Sequence, residues 1–484
     1  MSTRRSLIFS FIDRYASLAI GIVSSMVIAR LLSPTEIGIF SVTMVLVALV
    51  STVRDMGAGQ YLLQEKDLTQ DRIRAVWAVQ LGLGLLLALI VLGLSRPAAL
   101  FYREPIIEAI MHVLALNYLV NPLGSVTYAW LMREMRYDAI AIMRFSSSLA
   151  GAVISVWLAV RGHGAISLAW GSLASTVCNA AASVLFRPRD YPWVPGVREI
   201  RRVLSFGSKV TSASIAQSIA SGAPEFMLGK LQSLATAGLF SRAHGLVMMF
   251  DRLVSDAVYP VALSLFSKEM RASRDASSSF VKALSYITAL SWSFALVLIF
   301  LAYPIIRLLY GDQWDDSVDV ARVLGAAMAL AAPVPLCRAA LIAGGPATKT
   351  LTVTLVMAVV TLPLVVTGAA MSLLHLGAAL MVAAGVTVAL WLASVRTVVR
   401  YDWRELRAEL GKSLVVALAA SLVPGCCFLL WGARPEQLVL PLTVGIAGAA
   451  AGFVLGIFAI GHPLAVELRR IAPALGRVVG ARRH

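Results

Sequence analysis

Apolar residues run through this chain in blocks of about 20, each ended by glycine, proline or a short basic stretch, from one end to the other. A helix needs about 20 predominantly apolar residues to cross roughly 30 Å of hydrocarbon. Windows of that kind fall at 12–32, 37–56, 75–95, 108–131, 139–160, 164–186 and 204–228. They continue at 237–264, 281–306, 320–343, 350–370, 372–395, 413–431 and 438–460. The pattern predicts an all-α polytopic membrane protein of about 14 transmembrane helices, with no gap long enough for a soluble domain.

Composition narrows the class. Of 484 residues, 59% are apolar and 14% charged, whereas soluble domains carry about 45–50% and about 25%. With a mean hydropathy of +0.81, a soluble enzyme is excluded, and the spread of the apolar blocks excludes a single anchor. A net charge of +16 would suit nucleic acid, but the basic residues sit in short loops between the blocks, where cytoplasmic loops collect Lys and Arg. With the N-terminus inside, the cytoplasmic segments hold 27 basic residues and the opposite side seven. That alternation implies an even number of helices with both termini cytoplasmic in a multi-pass membrane protein. The first block opens with Arg4 and Arg5 but carries Asp13 and Arg14, which reads as a retained helix rather than a cleaved signal peptide. Cys178, Cys337, Cys426 and Cys427 all lie in apolar stretches and read as packing residues. His112, His163, His244 and His375 are scattered without metal-ligand spacing, so no metal, cofactor or nucleic-acid partner is expected.

The chain also repeats itself. Arg30-Leu-Leu-Ser-Pro-Thr-Glu-Ile-Gly-Ile-Phe-Ser41 recurs 200 residues later as Lys230-Leu-Gln-Ser-Leu-Ala-Thr-Ala-Gly-Leu-Phe-Ser241, identical at five of 12 positions. Pro122 and Pro333 give a weaker echo. These echoes predict a six-helix lobe over 1–203, a related one over 204–411, and two extra helices with a basic tail over 412–484. Six is an even number, so the lobes share one orientation, related by an axis along the membrane normal, as in transporters that rock one half against the other. A duplication that serves packing alone is the other reading.

At Ile28-Ala-Arg-Leu-Leu-Ser-Pro-Thr-Glu-Ile-Gly-Ile-Phe40 and Arg54-Asp-Met-Gly-Ala-Gly-Gln60 the chain resembles the Wzx-type polysaccharide exporters. These are lipid-linked oligosaccharide flippases of the multidrug/oligosaccharidyl-lipid/polysaccharide superfamily. Leu131-Met-Arg-Glu-Met-Arg-Tyr137 and Glu225-Phe-Met-Leu-Gly-Lys230 add to the likeness, with Glu225 standing where the family often has Asp. The resemblance covers most of 1–345. It implies two six-helix lobes around a central lumen, with the two extra helices bordering a lipid-facing groove. The implied cargo is a polyprenyl-pyrophosphate-linked oligosaccharide, translocated by alternating access for cell-surface polysaccharide. Membrane lipids, a polysaccharide polymerase and a chain-length regulator are the partners it implies.

Eight basic residues fall inside the apolar blocks: Arg14, Arg54, Arg144, Lys209, Arg242, Arg252, Arg322 and Arg338. A basic residue at bilayer centre costs about 2.5–3.5 kcal/mol on insertion scales, so each is expected to face protein or water. Arg14, Arg54, Arg144, Lys209, Arg242, Arg252 and Arg338 are the candidates for gripping an anionic pyrophosphate, which arginine binds through two parallel hydrogen bonds. Against this stand snorkelling to the headgroups for Arg14, Arg144 and Arg338, and an i,i+4 pair with Asp256 for Arg252. The acids Asp55, Glu225, Asp251 and Asp256 either couple a proton or sodium gradient to transport or neutralise neighbouring bases, as Asp13 does in the second reading. Gly222 and Pro224 before Glu225 predict a loosened turn whose carbonyls face a small cation.

Other features have bland readings. Asp312, Asp315, Asp316 and Asp319 lack the spacing of a calcium loop and read as a solvated face. Gly448, Gly452 and Gly456 form a small-residue stripe for close helix contact, within the chain or in a dimer. Pro224, Pro260, Pro333 and Pro363 are candidate hinges. No nucleotide-binding loop is present. An ion-coupled efflux antiporter of small amphiphiles is the competing function. An enzyme is disfavoured because the outer loops are too short to carry an acceptor site.

Overall fold

Inside hydrocarbon every backbone N–H and C=O must find its partner within the chain, and for apolar runs of this length the helix satisfies that locally. The computed structural model describes residues 3–469 apart from 55–60, 63–64, 66–67, 189–191, 193, 273–274 and 346; side chains are further left out at 3–15, 53–54, 202, 204–216, 250–257 and 347. Among the described residues there is no strand. The helices are α1 (Thr3–Leu31), α2 (Pro34–Arg54), α3 (Gln70–Tyr102), α4 (Ile106–Arg133), α5 (Tyr137–Val160), α6 (Ile166–Phe186), α7 (Ile200–Leu231) and α8 (Leu234–Arg271). They continue as α9 (Ser277–Tyr310), a 3-10 turn (Asp312–Ser317), α10 (Val318–Ala331), α11 (Val334–Gly344), α12 (Ala347–Met371), α13 (Leu373–Val395), α14 (Trp403–Trp431) and α15 (Val439–Ala459).

The described residues of the apolar windows lie largely on helical backbone. Among the described residues, 11 segments are long and apolar enough to cross a membrane, with Asp312–Gly344 acting as one. The windows at 12–32, 204–228 and 237–264 fall on α1, α7 and α8. The described apolar part of α1, Ala16–Leu31, is short of a crossing. α7 carries Ser205, Ser208, Thr211, Ser212, Ser214, Gln217, Ser218 and Ser221, and α8 carries Arg242, Asp251, Arg252 and Asp256; the side chains of 204–216 and 250–257 lie outside the described residues. Of the candidate hinges, only Pro333 breaks a helix, between α10 and α11. Pro224, Pro260 and Pro363 sit inside continuous helices.

The chain forms two compact units, Met1–Gly238 and Leu239–His484. In the first, α5 packs on α1 and α6, α4 on α3 and α6, and α7 on α2 and α3. In the second, α9 is the hub, touching α10, α14 and α15, while α13 packs on α10 and α12. The hub buries Phe280, Leu284, Ile287, Leu298, Leu301 and Ile306. The glycine stripe of α15 is used within the chain: a methyl group on Gly452 would overlap the Ala419 carbonyl of α14, and one on Gly448 would meet Val423.

The repeated motif has a physical meaning in the first unit. Ser33 and Glu36 form a capping box at the start of α2: the Ser33 N–H donates to Glu36 Oε2 at 2.8 Å, and the Glu36 N–H donates to Ser33 Oγ at 3.3 Å. At the start of α8, Ser233 Oγ accepts from the Thr236 N–H at 3.1 Å. The repeated serines are thus equivalent N-caps. One turn further on, the repeated glycines meet reciprocally. A methyl group on Gly38 would overlap the Leu234 carbonyl, and one on Gly238 would overlap the Pro34 carbonyl. The two helix starts touch backbone to backbone.

The second unit holds a buried polar knot that sequence patterning missed. His462, beyond the end of α15, is fully buried. Its Nδ1 accepts the Leu464 N–H at 3.2 Å, which leaves the proton on Nε2. That nitrogen lies 2.9 Å from Ser285 Oγ on α9 and 3.3 Å from Ser413 Oγ on α14. Ser413 Oγ donates to the Ser285 carbonyl at 3.0 Å, and Thr288 Oγ1 donates to Ser413 Oγ at 3.1 Å. Burial pushes the imidazole below its ordinary pKa, with Glu409 opposing the shift and Lys412 adding to it. The knot ties the C-terminal helices to the hub.

Two outcomes are expected. Gly38→Ala or Gly238→Ala forces backbone apart and costs about 1–3 kcal/mol in thermal unfolding of the purified protein. Gly82→Ala, where nothing stands within 4 Å, is neutral or slightly stabilising; equal effects at Gly38 and Gly82 would refute the close contact. For His462 the folded-state pKa is depressed, so its stabilisation is complete above about pH 6.5, the unfolded value. It is lost as pH falls below that value toward the folded one, because only the unfolded chain takes up the proton. Melting temperature should therefore drop more between pH 8 and pH 5.5 for the wild type than for His462→Gln, and parallel curves would exclude the knot as the source.

Candidate functional site

Of the charges expected inside the membrane, the structure describes the side chains of Arg144, Arg242, Arg322, Arg338 and Glu225. Asp55 lies outside the described residues, as do the side chains of Arg14, Arg54, Lys209, Asp251, Arg252 and Asp256. On the backbone, Arg54 ends α2, Lys209 lies in the first half of α7, and Asp251, Arg252 and Asp256 fall near the middle of α8.

The described cations differ in setting. Arg242 on α8 is held by aromatic rings: its guanidinium carbon lies 5.6 Å from the Trp314 ring centroid and 5.8 Å from that of Tyr310. Both rings are buried and meet edge-on at 6.4 Å. One turn-neighbour pair, Phe240 and His244, stacks at 5.4 Å on the same helix. Stacking engages the face of the guanidinium, whose hydrogen-bond donors lie in its plane. Arg144 is exposed on α5, 5.7 Å from the Tyr128 ring of α4. Arg338 stands exposed on the short helix α11, between buried Cys337 and Ala339, and no described acid pairs with it. Arg322 serves the packing of its unit, donating from Nε to the Ile299 carbonyl at 3.1 Å and pairing with Asp319 at 2.9 Å.

Glu225 is half-buried on α7, which runs unbroken through it. The loosened turn expected there is absent, for a packing reason. Gly222 faces Val45 and Gly229 faces Val42 and Tyr102 so closely that a methyl group at either would clash. These glycines let α7 lie against α2 and α3 instead of unwinding it. Tyr102 Oη donates to the Phe226 carbonyl at 3.2 Å, and Phe101 stacks on Phe226 at 5.6 Å. Lys230 caps this group, with Nζ 4.0 Å from the Phe101 ring centroid and donating to the Phe101 carbonyl at 2.7 Å.

Sequence reasoning also missed a hydroxyl cluster near Arg54 in the chain. Thr52 Oγ1 lies 2.7 Å from Ser218 Oγ of α7, and Ser51 Oγ lies 2.7 Å from Tyr118 Oη of α4. The run of hydroxyls on α7 was its visible signal. The acidic cluster after α9 is an ion-pair network rather than a purely solvated face: Asp315 and Asp312 pair with Arg307, and Asp319 with Arg322. Among the described residues no group of His, Cys, Asp and Glu is placed to hold a metal.

Apolar helices of crossing length with cations and hydroxyls set among them define a multi-pass membrane protein. The fold is that of the lipid II flippase MurJ in an inward closed conformation, with a TM-score of 0.77, 13% identity, and coverage of 94% of this chain and 99% of that one. An inward-facing multidrug resistance MATE family transporter of the MOP superfamily matches with a TM-score of 0.63 and 15% identity over 84% of this chain and 98% of that one. Residues 27–319 match the family described as polysaccharide biosynthesis protein, and the chain belongs to that family. It is 24% identical over 467 residues to the succinoglycan biosynthesis transport protein ExoT of Rhizobium meliloti (strain 1021), covering 93% of this chain and 91% of ExoT. It is 22% identical over 311 residues to the lipopolysaccharide biosynthesis protein WzxC of Escherichia coli (strain K12), covering 63% of each.

The settings of Arg242 and Arg144 lead to different expected losses. Arg242→Ala removes a cation lodged against two buried rings and lowers stability by about 1–2 kcal/mol, whereas exposed Arg144→Ala loses less than about 1 kcal/mol. Unfolding of the two variants in parallel decides; equal losses would show that the rings do not hold Arg242.

Proposed function

We propose that this protein is a flippase that translocates polyprenyl-pyrophosphate-linked oligosaccharide repeat units across the bacterial inner membrane for cell-surface polysaccharide biosynthesis. What carries the proposal is the presence of guanidinium groups inside membrane helices of a fold shared with a lipid II flippase. A cation held there is costly unless it meets an anion or water, and the constant part of this cargo is a dianionic headgroup. The pyrophosphate is gripped in turn by Arg54, Lys209 and Arg252, with Arg14, Arg144 and Arg338 toward the inner entrance and Arg242 toward the outer exit. Hydroxyls such as Thr52 and Ser218 hydrogen-bond the first sugars, and the lipid tail stays in the bilayer beside α14 and α15.

The cycle is alternating access between lobes 1–203 and 204–411, with 412–484 appended, in a chain that crosses the membrane 14 times and keeps both termini cytoplasmic. Asp55, Glu225, Asp251 and Asp256 take up the coupling ion. The protein is a transporter, not an enzyme. A polysaccharide polymerase and a chain-length regulator act on its product side. The likeness to ExoT, named as a transport protein, extends over 93% of the chain. The fold match to the MATE transporter is weaker and covers less of the chain, so efflux of small amphiphiles is the lesser reading.

The test uses a deletion strain without a redundant flippase and a leaflet-selective assay of polyprenyl-linked oligosaccharide. Loss of the protein should trap cargo on the inner leaflet, and wild type should release it. Arg54→Ala or Arg252→Ala should slow release about tenfold or more, since a hydrogen bond to a charged group is worth about 1.5–3 kcal/mol. An unchanged leaflet distribution in the deletion strain would refute the flippase and bring efflux forward.

A further inference from the structure

We propose that the connection between α13 and α14 is a docking site for the headgroups of anionic phospholipids. Both helices are apolar enough to cross a membrane, so residues 396–402 between them lie at headgroup level. Four arginines, Arg396, Arg400, Arg404 and Arg407, are exposed here, with Lys349 beside them. None of the four arginines is ion-paired with a described residue. The nearby acids offset them only in part. Asp402 is engaged as the N-cap of α14, accepting the Arg404 N–H at 2.9 Å, and Glu409 is paired with Lys412 at 2.6 Å. Asp402 and Glu405 are the exposed acids among the arginines, so with Lys349 the turn carries five cations against two carboxylates.

An arginine-rich loop by itself is ordinary at a membrane surface. This one is built on a rigid aromatic base. Tyr401 is buried, donates from its hydroxyl to the Leu392 carbonyl at 3.0 Å, and packs on Phe280 of the hub at 5.5 Å. Trp403 meets Tyr401 edge-on at 5.3 Å. The Arg396 guanidinium lies 5.8 Å from the Trp403 ring, and Arg407 Nε donates to the Trp403 carbonyl at 3.2 Å. Lys349 Nζ donates to Thr397 Oγ1 at 3.0 Å. Cations fixed in this way lose less freedom on binding than those on a loose loop. A planar guanidinium also matches phosphate geometry through paired N–H donors.

The apolar surface beyond the patch points to a lipid rather than a soluble phosphate. Val386 on α13 and Leu414 and Val415 on α14, about 10–15 Å further along their helices from the cationic turn at 1.5 Å per residue, are exposed large hydrophobics. A phospholipid would set its phosphodiester on the arginines and lay its acyl chains along these faces. The proposal does not rest on the flippase activity, and its test reads no transport.

Purified full-length protein, exchanged into mixed phosphatidylcholine and phosphatidylglycerol micelles, is examined by native mass spectrometry for retained lipid. The wild type should retain phosphatidylglycerol over phosphatidylcholine by about tenfold or more, and R396Q/R400Q/R404Q/R407Q should reduce the preference to about twofold or less. R198Q/R201Q, which removes two exposed cations of the first unit, should leave it unchanged. If it lowers the preference as much as the fourfold variant, overall charge is responsible and the proposal fails. Stronger retention of a polyprenyl pyrophosphate than of phosphatidylglycerol at the same arginines would assign the patch to the cargo and also overturn it. Should the fourfold variant not fold, the wild type decides: phosphatidylglycerol should raise its melting temperature at low salt and not at molar salt, where exposed charges are screened, and no rise at low salt would refute the site.

Discussion

The starts of α2 and α8 touch through bare backbone at Gly38 and Gly238, and the arrangement of the first unit follows from that contact. A side chain at either position would drive carbonyl oxygens apart, so the approach exists only because both residues lack one. Each helix reaches the contact already capped, by Ser33 with Glu36 and by Ser233. One first-turn N–H group of each helix, that of Glu36 and that of Thr236, is thereby satisfied without water. α7 leads directly into this junction and is held on α2 and α3 by Gly222, Gly229 and the Tyr102–Phe226 contact. The repeated motif is thus a repeated way of starting a helix so that it can be approached closely.

The membrane sets the second constraint. Polar groups there are expensive unless paired, and the chain pairs them in several ways. Ser51 and Thr52 meet Tyr118 and Ser218, Arg242 lies against two rings, and the acids after α9 are bound by Arg307 and Arg322. α7 is rich in hydroxyls, and α8 carries Arg242, Asp251, Arg252 and Asp256. A transporter must pass a polar load through an apolar barrier.

The C-terminal helices show how an appended pair is fixed in place. Gly448, Gly452 and Gly456 bring α15 against α14, and His462 with Ser285, Thr288 and Ser413 locks the pair to α9. Small residues supply close approach and the polar knot supplies direction. In an apolar environment packing alone gives little orientation, since lipid competes equally for apolar faces.

Much of the architecture was legible in the sequence because its cause is local. Apolar run length places every helix, the excess of basic residues in short loops marks a membrane protein, and the repeat together with motifs such as Glu225-Phe-Met-Leu-Gly-Lys230 points to the family to which the chain belongs. What only the tertiary structure decided depends on residues far apart in sequence. Pro333 breaks a helix where Pro224 does not, because α7 is clamped along α2 while α10 ends at Ala331. The glycine stripe of α15 serves α14 rather than a second copy. Arg242 rests on Tyr310 and Trp314, and His462 reaches back to Ser285. Run length and spacing are properties of neighbours along the chain, whereas these partners are selected by which helices meet, and that is settled only when the whole chain packs.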